Sequence, residues 1–167
     1  SPNIDVESIS FDNSSYSVGV GRSIDIPFTV HPENATNVTL EYSVNNKELA
    51  ELSLGDAEDR IIHVTGIVPG NIIITMKSSQ GVVARKDVHI FEVMPEEITI
   101  VPDKEKPAAG STGAFTVTYN PEDVTNQIVT WESSDPDIIR VNSDGTYSQL
   151  EKCSITTVYS IKAVFCF

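Results

Sequence analysis

The chain has 167 residues, 40% of them apolar, and a formal charge of −13, a length that fits one medium domain or two small ones. It has no run near the roughly eighteen apolar residues of a membrane span. Its acidity argues against nucleic acid and anionic lipid as partners, where Lys and Arg must supply the attraction.

The acidity is even: 6 basic and 13 acidic residues through Val93 give −7, and 5 and 11 after it give −6. That is the pattern of a solvated surface. The opening SPNIDVESISF has no basic n-region and no apolar h-region, so any export signal has been removed or lies outside this chain. VESISF alternates, with Val6, Ser8 and Ser10 on one face and Glu7, Ile9 and Phe11 on the other. SIDIPFTV sets Ile24, Ile26, Phe28 and Val30 on one side at period two, as a half-buried strand does. VTLEYSV places Val38, Leu40, Tyr42 and Val44 together. NKELAELSL is the best helical candidate, through Leu49, Leu52 and Leu54, but it is short and lies between strands, so its end is expected to be a strand. GNIIITMKSS and GVVARKDVHIFEV follow, joined by the turn residues Ser78, Ser79, Gln80 and Gly81. EVMPEE (92–97) predicts a short linker between two domains set end to end, after which EITIV resumes the alternation.

The second half repeats the first at an offset of 89. ESISF falls on EEITI, Gly21 on Gly110, Pro32-Glu33 on Pro121-Glu122, Thr36-Asn37 on Thr125-Asn126 and Tyr42 on Trp131, with a slip at the shared Phe-Thr-Val. The heptads HPENATN (31–37) and NPEDVTN (120–126) are the clearest pair. Pro32 and Pro121 each end a strand by removing a ladder donor, and the following Asx and Thr residues make a turn. The chain is therefore a tandem of one module, with domains expected at 1–93 and 94–167. About seven short strands per copy, with turn signals every eight to twelve residues, indicate an all-β fold of β-sandwiches.

NPEDVTNQIVTWESSDPDIIRVNSDG (120–145) resembles the core signature of bacterial Ig-like domains of group 2. The matching positions are Pro121, Thr125, Asn126, Trp131, Ser133, Ser134, Asp135, Pro136, Val141 and Gly145. The first copy keeps Pro32, Ala35, Thr36, Asn37, Tyr42 and VPGNIIIT (68–75). The resemblance implies two tandem immunoglobulin-like β-sandwich domains. Tyr42 and Trp131 are expected at equivalent inward positions on the third strand of each copy. The second copy is shorter, so its last hairpin is expected to be reduced, with CSITTVYSIKAVFCF supplying both final strands around a turn near Ser160. Lys152-Cys153 replaces the family's usual glycine, and the apolar AVFCF needs cover, as a closing strand or against a partner.

Chemistry is sparse. His31, His63 and His89 lie on separate segments without metal-ligand spacing, no serine sits in a Gly-x-Ser-x-Gly elbow, and there is no phosphate loop. GDAEDR (55–60) and SSDPD (133–137) carry carboxylates without the spacing of a dedicated calcium loop, so charged hairpin tips with at most weak calcium association are expected. Cys153 and Cys166 are expected to be small buried hydrophobes rather than a bridge. The sequons at Asn13, Asn34 and Asn37 are expected to be turn chemistry, with surface glycans of a secreted protein as the alternative. The five tyrosines fall mostly at core or turn positions, not in an exposed array. No catalytic, cofactor-binding or metal-ligating residue is expected, no cofactor, and no enzymatic activity. The family resemblance implies a non-catalytic cell-surface or secreted module that spaces or presents other domains. It is expected outside the cell, exported, with a lipoprotein anchor upstream as one arrangement. The alternative is a module that itself binds a glycan or a host protein at the cell surface.

Overall fold

The computed structural model describes residues 2–56, 58–104 and 107–150 and the backbone of 161–165; Cys153, Cys166 and Ser160 lie outside them. The chain divides into two compact units, Ser1–Val93 and Met94–Phe167. The fold is all-β, without a helix among the described residues.

The first unit contains β1 (Ser8–Phe11), β2 (Tyr16–Gly19), β3 (Ser23–His31), β4 (Leu40–Val44), β5 (Ala50–Leu54), β6 (Ile61–Gly66), β7 (Gly70–Ser78) and β8 (Val83–Phe91). One sheet has the order β1-β3-β6-β5 and the other β2-β8-β7-β4. This is the immunoglobulin-type sandwich, with the first strand split between the sheets. Period-two alternation turns Ile26, Phe28 and Val30 of β3, Ile62 and Val64 of β6, Ile72, Ile74 and Met76 of β7, and Val88 and Ile90 of β8 into one core. The NKELAELSL segment is a turn followed by β5, as its position between strands predicts.

Three details depart from the sequence reading. Neither β2 nor β6 was anticipated; β2 has four residues, ends in Gly19 and pairs in parallel with β8, a partner far along the chain. Val6 is buried although Ser8 and Ser10 are exposed, because it precedes β1 and so escapes the strand's alternation. Tyr42 is 39% exposed. Its register opposite Met76 puts it on the core side of the sheet, but β4 is the edge strand and has no neighbour to cover the ring.

The second unit contains β9 (Glu97–Pro102), β10 (Thr112–Asn120), β11 (Val129–Ser133), β12 (Ile139–Val141), β13 (Thr146–Gln149) and β14 (Ile161–Phe165). The order β12-β13-β10-β9 reproduces β5-β6-β3-β1, and β11 pairs with β14 as β4 pairs with β7. Thus 161–165 takes the place of β7, not that of the final strand of a hairpin as expected from the sequence. Part of the shortening lies earlier: the turn before β13 is 142–145, against 55–60 before β6.

The duplicated heptad is a framework element in both units. Its proline follows a cis peptide, His31-Pro32 and Asn120-Pro121, and both Gly21 and Gly110 have φ +79°. Glu7 N–H donates to His31 O (2.8 Å) and Glu96 N–H to Asn120 O (2.7 Å), closing the first strand onto the end of the strand that precedes the heptad. In the first unit the N–H groups of Thr36 and Asn37 both donate to Ile4 O, so the turn also fastens the N-terminal segment. The slip at Phe-Thr-Val has a structural counterpart. Phe28 N–H donates to Arg60 O and Phe115 N–H to Gly145 O, both 2.9 Å, and Arg60 and Gly145 both have positive φ.

Candidate functional site

The residues singled out in the sequence are scattered by the fold. His31 and His89 are exposed, on different sheets. His63 pairs with Asp25 directly across β3 and β6. The GDAEDR stretch forms the β5–β6 connection. In SSDPD, one Asp135 carboxylate oxygen accepts from Asp137 N–H (3.1 Å), while the Asp135 carbonyl accepts from Ile138 and Ile139. Asn46, 89 residues earlier, does the same: its side-chain oxygen accepts from Glu48 N–H (3.0 Å). These are Asx turns leading into β12 and β5. Among the sequons, the Asn37 amide is engaged, donating to Asp5 Oδ1 (2.9 Å).

Two places concentrate side chains. The first is an aromatic column in the second unit. Trp131 on β11 stacks on Phe115 of β10, with ring centroids 5.8 Å apart, and Phe115 packs on Tyr147 of β13 at 4.7 Å. Gly145 is required under it: φ is +86°, and a Cβ there would stand 3.0 Å from Trp131 Cζ2. Tyr147 is buried, and its hydroxyl donates to Asp103 Oδ1 (2.8 Å). That path crosses Gly113, where a Cβ would come within 2.6 Å of Asp103 Oδ1. The column is framework rather than chemistry.

The Tyr147 hydroxyl, more than the backbone donor and Lys104, holds the Asp103 carboxyl below its ordinary value of 3.8. A carboxyl lowered by folding contributes stability that is complete above its unfolded value and is lost as pH falls through the lowered folded value. Tyr147→Phe removes that contribution. The gap in urea midpoint between wild type and variant is therefore expected to be constant above about pH 5 and to narrow as pH falls below the ordinary carboxylate range. A gap independent of pH down to acid unfolding contradicts this account.

The second place is a groove of about 860 Å³ on the outer face of the β2-β8-β7-β4 sheet. β8 presents Arg85, Asp87 and His89 outward, and β7 presents Asn71 and Ile73; the register sets Asn71 against His89 and Ile73 against Asp87. His89 Nδ1 hydrogen-bonds Asn71 Oδ1 (2.8 Å). Since an amide oxygen only accepts, Nδ1 carries the proton, leaving Nε2 of the neutral ring as an acceptor and the Asn71 amide nitrogen as a donor. Asn45 Oδ1 accepts from Ile73 N–H (2.9 Å), which orients the Asn45 amide nitrogen. Tyr16 bounds one side; its hydroxyl donates to Asp12 (2.8 Å), and Lys86 Nζ lies 5.4 Å from its ring centre. Sequence reasoning missed this groove, because polar residues alternating with a core face read as ordinary solvent-facing positions.

The family model described as Bacterial Ig-like domain (group 2) matches residues 94–156, which bears out the resemblance read from 120–145. No curated protein matches the chain. Similar solved structures include domains 4 and 5 of the S-layer protein SbsC (21% identity, 53% of each chain, TM-score 0.45). Domains 4–9 of that protein match at 18% identity, over 96% of this chain and 29% of that one, with TM-score 0.47. The D0-D1 domain of intimin matches at 18% identity, over 95% of this chain and 90% of that one, with TM-score 0.41. The chain spans 53% and 29% of these two S-layer structures.

Proposed function

We propose that the chain is a non-catalytic, exported module that spaces or presents other domains at the cell surface. The supporting observation is what its two units repeat. The shared positions are cis prolines, Gly21 and Gly110, the Asx turns of Asn46 and Asp135, and the bonds of Glu7 and Glu96. All of these build framework, and none brings a nucleophile together with a base or an acid. Duplicating a framework without duplicating any reactive group suits a spacer, and the bacterial Ig-like match agrees with such a role.

The proposal is tested by labelling intact and permeabilised cells of the native host with antibody to the chain. Equal labelling of both is expected; labelling only after permeabilisation would reject it. A second reading, a module that binds a ligand in its own right, is favoured by one observation, the groove on the first unit.

A further inference from the structure

We infer that the groove on the β2-β8-β7-β4 face is a saccharide site, an inference that rests on the binding-module reading. Its lining interleaves donors and acceptors. Arg85 and the amide nitrogens of Asn45 and Asn71 donate; Asp87 and His89 Nε2 accept. Ser17, opposite His89 across β2 and β8, adds a hydroxyl that can do either. Among the described residues neither the Arg85 nor the Asp87 side chain has a hydrogen-bond or ion-pair partner, although they stand two positions apart on one face of β8. Both retain their full bonding capacity for a ligand.

The mixture selects the ligand class. A polyanion needs donors alone, and the Asp87 carboxylate in the middle of the face would repel it. An apolar ligand would leave these polar groups desolvated and unpaired. A bound peptide strand needs a sheet edge, whereas the floor here is β7 and β8, each paired on both sides. A sugar ring satisfies every element. Its hydroxyls donate to Asp87 and His89 and accept from Arg85 and the asparagines. Its C–H face rests on Ile73, which is 39% exposed between Asp87 and the Asn45 anchor. The groove volume, about 860 Å³, is in the range of small-molecule sites and accommodates a short oligosaccharide.

The experiment is a two-dimensional NMR titration of the full chain with the neutral saccharides maltotriose, cellotriose and chitotriose, alongside a broad glycan array. Binding of at least one saccharide is expected, with shifts centred on the amides of Asn71, Ile73, Arg85, Asp87 and His89. Asp87→Ala and Asn71→Ala, both on an exposed face, are expected to weaken it by about tenfold or more while leaving the remaining spectrum intact. No binding by any glycan, shifts centred elsewhere, or unchanged affinity in both variants would overturn the inference. Failure here would leave the intact-cell labelling result untouched, so the two readings fail separately.

Discussion

Replacing Trp131 with alanine is expected to lower the stability of the second unit by about 3 kcal/mol. The figure sits at the low end for a large aromatic because the ring is half-buried. Three separate losses contribute. The stack on Phe115 goes; the space above Gly145, which was kept free of a Cβ for this ring, becomes a void; and the contact that ties β11 to the opposite sheet disappears. Trp131→Phe keeps an aromatic over Gly145 and is expected to cost about half as much. Since Trp131 is the single tryptophan, the variants must be followed by NMR or circular dichroism rather than by fluorescence. A change below about 1 kcal/mol would show that the column is not what joins the two layers.

The fold was largely legible because its strands carry different chemistry on their two faces. In SIDIPFTV the alternation alone identifies the core residues Ile26, Phe28 and Val30. Alternation gives a face but not a position within the sheet. Tyr42 has the right face and remains exposed because β4 is an edge, which depends on the order of distant strands. β2 was invisible for a related reason: four residues ending in glycine set no period, and their parallel partner is β8. The offset of 89 located the heptads but not the Asn46 and Asp135 turns, where the two copies use different residues for one hydrogen bond. Arg60 was hidden because a longer turn separates it from its counterpart Gly145. The groove was the least legible feature. Asn71, Ile73, Asp87 and His89 have nothing in common in the sequence, and pairing between β7 and β8 alone makes them neighbours.

Ile26→Ala is expected to cost the first unit about 4 kcal/mol, the larger of the two effects, because this side chain is fully buried at the centre of a closed core. Its surroundings explain why the site cannot collapse to fill the space. Ile26 lies opposite Ile62 in the β3–β6 register, and the facing sheet contributes Ile72, Ile74, Met76, Val88 and Ile90, all held by strands paired along their length. For a domain of this size the loss corresponds to a fall in melting temperature of about 20 °C. The same variant tests whether 1–93 and 94–167 are independent folding domains, as we propose. Among the described residues, the core around Ile26 draws only on residues before Val93, whereas Trp131 belongs to the second unit. In urea, the variant is expected to shift the transition seen by the first unit's amide resonances while leaving the tryptophan fluorescence transition where it was. If both transitions move together, the two units unfold as one cooperative body, and the proposal of independent modules falls.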